Sequence, residues 1–168
     1  MTDTPSSSSL RILQRGDGIV AAEVGPVCVA VWRKDSTIPR FLLQRQALVD
    51  VVKRHPQTAG FFCVVEETSG VPGEEVRQAS SRMFASLGEN LKAVAMVIEG
   101  TGFRSALVRS VAAGIVMVMG KRTTPISYVA NVEGGADWIE QHVDIGMKPR
   151  FIRAVQEARA VLDEPFTG

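Results

Sequence analysis

Leu91-Lys92-Ala93-Val94-Ala95-Met96-Val97-Ile98-Glu99-Gly100-Thr101-Gly102-Phe103-Arg104, with the run that continues to Gly120, decides the fold class of this chain. Ala93 to Ile98 is a near-continuous apolar run of strand length, the pattern of a parallel strand covered on both faces. Glu99-Gly100-Thr101-Gly102 reads as a tight turn. From Phe103 to Met119 there follow about five helical turns' worth of residues without proline. Strand, turn and helix in that order predict a βα unit and hence an α/β domain.

Upstream, Gly18 to Val24 and Val27 to Arg33 are β-branched runs separated by Gly25-Pro26, which predicts an antiparallel hairpin. Asp35-Ser36-Thr37 supplies capping side chains, and Pro39 suits the first turn of a helix. Phe41, Leu42, Leu48, Val49 and Val52 continue that helix, with Gln44-Arg45 among them, until His55-Pro56 ends it. Ala59 to Val65 is a third strand, apolar on both faces and therefore central. Glu74-Glu75 opens a helix where its dipole favours negative charge, Val76, Ala79, Met83, Phe84 and Leu87 make its apolar face, and Gly88 stops it.

Downstream, Ile126 to Val129 is a short strand, a helix around Gly135 to Val143 packs Ala136, Trp138 and Ile139, and a last helix runs from Pro149 to Leu162. Strands alternating with helices imply parallel pairing through right-handed crossovers. The expectation is a single mixed five-stranded α/β sheet with an antiparallel N-terminal hairpin and an extra C-terminal helix. Its divisions are a flexible lead-in over 1–15, an α/β domain over 16–145, and a C-terminal helix over 146–168 packed on the domain or on a partner chain.

At 168 residues the chain has room for one core. Its 19 Lys plus Arg balance 18 Asp plus Glu, so no global field draws it to nucleic acid or anionic lipid. The longest apolar run, Val111 to Met119, is well short of the roughly 20 residues that span a bilayer as a helix, so no membrane span is expected. Met1 to Ser9 has neither a basic start nor an apolar stretch and does not read as a signal peptide. Cys28 and Cys63 lie inside apolar runs without metal-ligand spacing, as buried thiols suited to a reducing cytoplasm.

Chemistry is sparse. His55 and His142 belong to no metal-binding pattern, and no nucleophile elbow, P-loop or complete dinucleotide fingerprint occurs. No catalytic residue, cofactor or metal is therefore nominated. Gly100 and Gly102, with Arg104, could bring backbone N–H groups to an anion or a partner; the plain alternative is a tight turn with Arg104 paired to Glu99 or a neighbouring carboxylate. Glu66 and Glu67 point to opposite faces and read as solvated groups or caps. In the helix from Phe103, the projection puts Phe103, Leu107, Val111, Gly114 and Val118 in the core stripe and Ser105, Arg109, Ala112 and Val116 on the far side. The apolar second half of that far side is either roofed by the C-terminal helix or engaged in self-association through Ala112, Val116 and Met119.

Taken with the order of elements, Ala93 to Arg104, Val108-Arg109-Ser110 and Ala136-Asp137-Trp138-Ile139 resemble the STAS family, named for sulphate transporters and anti-sigma-factor antagonists, and within it the soluble bacterial STAS/SEC14-like branch. The similarity covers about residues 16–145. In signalling members a serine in the loop after the third strand is phosphorylated and switches partner binding. Glu67-Thr68-Ser69-Gly70 stands at that place, with Glu67 in the position of the motif's aspartate and Val71-Pro72-Gly73 lengthening the loop. The resemblance thus implies a non-catalytic, cytoplasmic interaction module with a regulatory protein partner, a possible homodimer, and Ser69 or Thr68 as phosphorylation candidates. The alternative it implies is a small-molecule or lipid binder, with a small apolar ligand under a lid made by the far side of the Phe103 helix and the last helix.

Overall fold

In the computed structural model, residues 10–117 and 124–168 are described, with the side chains at 103, 104, 112 and 115–117 outside that description. Strands β1 (Arg11–Gly16), β2 (Ile19–Val24), β3 (Val27–Trp32), β4 (Ala59–Val65), β5 (Leu91–Ile98) and β6 (Ile126–Val129) form one mixed sheet in chain order. The first three pair antiparallel, and β3 to β6 pair parallel. The described helices are α1 (Ile38–Arg54), α2 (Glu74–Leu87), α3 (Phe103–Met117), α4 (Val132–His142) and α5 (Lys148–Asp163), with a single 3-10 turn between α2 and β5.

The sheet has six strands rather than five. The added one, β1, lies inside the segment expected to be a lead-in; it pairs with β2 from Arg11↔Glu23 to Gly16↔Ile19. It is an edge strand with one hydrogen-bonded neighbour and a largely exposed start, so it has no need of a continuous apolar run. Asp17-Gly18, with Gly18 at φ 83, makes the reversal into β2.

The other strands show why their sequences are apolar throughout. Alternate residues of β2 to β5 face opposite sides, and both sides are covered. Ala30, Trp32, Phe61, Cys63 and Val94 pack with α1 and α2. Val29, Val31, Phe62, Val64 and Val97 pack with α4 and α5. The helix α1 begins as its sequence predicts, with Thr37 accepting from the Arg40 N–H and a proline in the first turn.

The placement of the helices follows from topology. The steps β3 to β4, β4 to β5 and β5 to β6 all advance in one direction, and crossovers of one hand then put α1, α2 and α3 on one face. The remaining helices α4 and α5 cover the other face, α5 against β2 and β3. The C-terminal helix therefore does not roof α3, contrary to one of the two covers expected for that helix.

Candidate functional site

Between α1, α2, α3 and the sheet the packing leaves a chamber. Trp32, Phe41, Gln44, Cys63, Phe84 and Val108 contribute to its wall, and Met96, Ile126 and Tyr128 close the side towards the sheet edge. It offers about 90 Å³ to the centres of water-sized molecules. One water needs on the order of 10–15 Å³, so the space holds several heavy atoms. No charged side chain lines it among the described residues. Burial raises the Tyr128 phenol to about 12 and the Cys63 thiol to about 12, so both are neutral here at pH 7.

The polar groups of the lining include Gln44, the hydroxyls of Ser36, Ser80 and Tyr128, and the Cys63 thiol, and of these Gln44 is the amide. It is buried to 6 % exposure on the inward face of α1, one turn from Phe41. Its Oε1 accepts the Trp32 indole N–H at 2.6 Å and lies 3.8 Å from the Cys63 sulfur. Sequence reasoning passed over it. The signal was present: Gln44 interrupts the stripe Phe41, Leu48 and Val52 at a position where helical spacing points inward.

Helix α3 borders the chamber, although not by the expected face. Val108 and Ser105 are buried at 5 % and 4 % exposure, while Leu107 is 41 % exposed. The core stripe assigned to Leu107 is thus rotated by roughly one residue. The turn before α3 sets this rotation, with Gly100 at φ 101 and Gly102 at φ 90. The Ser105 hydroxyl then donates to the Glu99 carbonyl at 3.4 Å, which turns its side of the helix inward, and Val108 follows three residues on. A Cβ on Gly100 would come within 2.6 Å of Ser105 Oγ and 2.8 Å of Glu67 Cγ, so this glycine serves close approach as well as its dihedral.

The carboxyl ends of β3, β4 and β5 carry a charged cluster beside the chamber. Arg33 is held by both Glu66 oxygens, at 2.8 and 3.3 Å, and reaches Asp163 at 2.7 Å. Its guanidinium pKa is raised first by the Glu66 hydrogen bond. Arg159 of α5 bonds Glu66 at 3.1 Å and also Glu99. Glu66 is therefore not a solvated cap but the centre of a network that ties α5 to the sheet, and Glu99 pairs with Arg159. A small notch at the start of α3 is lined by Glu66, Glu67 and Glu99, the first and last of them paired with arginines. The side chain of Arg104 lies outside the described residues.

The loop after β4 is pinned to the end of β3. Thr68 Oγ1 donates to the Arg33 carbonyl at 2.6 Å, Ser69 Oγ to the Lys34 carbonyl at 3.0 Å, and the Gly70 N–H to Asp35 Oδ1 at 2.7 Å. Ser69 is 3 % exposed, so a kinase reaches its hydroxyl only if the loop opens; Thr68 is exposed. Gly70 and Pro72 of the same segment line the chamber. The self-association candidates Ala112, Val116 and Met119 lie outside the described side chains.

Both histidines stand apart from this region. His142 stacks on Trp138 at 4.1 Å between centroids, with Nδ1 2.9 Å from the Trp138 carbonyl, and His55 caps α1. No helix among the described residues is long and apolar enough to cross a membrane. Comparison with protein-family models, with curated proteins and with solved structures gives no significant match to this chain.

The two buried thiols set an alkaline limit. Desolvation raises Cys28, and takes Cys63 from 9.0 to about 12. A raised folded pKa leaves stability untouched below the unfolded value; above about pH 9 the unfolded chain ionises first and stability falls by ~1.4 kcal/mol per pH unit per thiol until the folded value is passed. Urea unfolding between pH 9 and 11 should therefore show wild type losing stability more steeply than Cys63→Val, by about that amount per pH unit. Equal slopes would mean that Cys63 ionises freely in the fold.

Proposed function

We propose that this domain is a non-catalytic binding module for a small, mostly apolar molecule, held in the chamber beneath α1, α2 and α3 on a STAS-like scaffold. The observation that carries the reading is the chamber itself: an apolar space of about 90 Å³ in an otherwise tightly buried core. Concave, mostly apolar sites with a few placed polar groups are where small ligands bind. The chamber lies under α3, on the opposite face of the sheet from the C-terminal helix.

The loop that carries Thr68 and Ser69 contributes Gly70 and Pro72 to the wall, so a regulatory partner docking on that loop would sense whether the chamber is filled.

Cyclohexanone is a suitable probe, small and neutral. Titrated into the protein, it should shift amide resonances around the chamber, Gly70 included. Val108→Trp, which fills the space from α3, should weaken that binding at least tenfold while lowering the unfolding free energy by no more than about 1–3 kcal/mol, so that the variant stays folded. Shifts scattered over the surface, or binding unchanged by the tryptophan, would remove the chamber from consideration.

A further inference from the structure

We infer that Gln44 is the recognition group of the chamber and that the ligand carries a neutral hydrogen-bond acceptor, such as a ketone, ester or ether oxygen, on an apolar body. The inference rests on the binding reading above and adds the chemistry of what is bound.

The orientation of the Gln44 amide follows from its partner. An indole N–H only donates, so the group facing Trp32 Nε1 at 2.6 Å is the carbonyl oxygen. The Cys63 thiol, neutral at pH 7, also approaches that oxygen as a weak donor. Reversing the amide would set its NH2 against the indole N–H, donor against donor. The NH2 is consequently left on the chamber side, and Nε2 has no hydrogen-bond partner among the described residues. Nε2 keeps accessible surface there, so a group inside the chamber can reach its two N–H donors.

A residue whose task was only to accept from Trp32 would not need those donors. What they lack is an acceptor, and it has to come from the contents of the chamber. Among the described residues no lysine or arginine lines the chamber, so a carboxylate or phosphate would give up its hydration without an opposite charge from them, and a neutral acceptor fits that lining. Its apolar body then lies against Phe84, Met96 and Val108. A water can bond to the NH2, but it leaves the surrounding apolar wall unfilled, and a ligand with both features displaces it.

Cyclohexanone and methylenecyclohexane test this, being nearly the same shape and differing in C=O against C=CH2. Wild type should bind the ketone about fivefold or more tightly, the worth of one neutral hydrogen bond. Gln44→Met, close in volume, should bind both alike at the level of the hydrocarbon. The Gln44 side-chain NH2 resonances of wild type give a readout that needs no variant: they should shift with the ketone and stay in place with the hydrocarbon. Equal affinity of wild type for the two probes, or NH2 resonances unmoved by bound ketone, overturns this inference and leaves the chamber reading standing. Binding of neither probe overturns both.

Discussion

Phe62→Ala is expected to lower the stability of the domain by about 3–5 kcal/mol, the range for removing a fully buried aromatic ring. Phe62 has no exposure and points to the face covered by α4 and α5. Its ring meets Phe151 edge-on at 6.2 Å between centroids, with the planes at 61°. Truncation to alanine removes that pair and leaves a void between β4 and two helices that cannot close without shifting. Urea unfolding should show a lower midpoint at unchanged slope. A loss below 1 kcal/mol would mean that α4 and α5 repack freely and that this face is not the rigid side of the sheet. The chamber, on the other face, should still take up cyclohexanone wherever the variant remains folded.

Gly135→Val is the second large effect, at about 3 kcal/mol, from overpacking rather than from a void. A Cβ at this position of α4 would lie 2.5 Å from Val97 Cγ2 and 2.6 Å from Phe62 Cε2, well inside contact distance. Glycine lowers helix propensity by about 1 kcal/mol against alanine, so its presence within α4 needs a packing reason, and the approach of the helix to β4 and β5 supplies it. Because one of the two obstructing atoms belongs to Phe62, the substitutions should not be additive: Gly135→Val should cost less in a Phe62→Ala background than in wild type. A double-mutant cycle measures this directly. Strict additivity would mean that the backbone of α4 moves away as a whole.

Both expectations concern the face of the sheet that holds the fold, while the candidate site occupies the other. That division explains a stable scaffold with a void. On one side Phe62, Phe151 and Gly135 interlock; on the other, α3 presents Val108, and space remains. The Arg33, Glu66 and Arg159 network joins the two sides, linking the strand ends next to the chamber to α5 on the far face. Partly exposed ion pairs of this kind contribute little to stability individually. They link α5 to the strand ends beside the loop at Ser69.

How much of this was legible differs from element to element. The hairpin at Gly25-Pro26, the βα unit at Leu91 and the capping of α1 were readable because each is a local arrangement of turn formers, caps and apolar period. Strand β1 was missed because an edge strand with one partner carries charge at Arg11 and Arg15 and lacks the continuous apolar signature. The rotation of α3 was misjudged because a projection knows only the spacing of its residues. The hydrogen bond of Ser105 to Glu99 and the positive φ values at Gly100 and Gly102 decide which side faces in.

The candidate site was the least legible. Trp32, Gln44, Cys63, Phe84 and Val108 come from five different elements, and nothing in their spacing along the chain joins them. Taken alone, the amino-acid sequence determined that the middle strands are covered on both faces, because an apolar run such as Ala59 to Val65 cannot leave either side to water. It also determined the order of the elements from β2 onward. Tertiary structure decided which helices cover which face: three crossovers in one direction fill one side with α1, α2 and α3, and α4 and α5 are left to cover the other. It alone decided that the first side does not close completely, because a gap between packed helices depends on volumes brought together from distant parts of the chain.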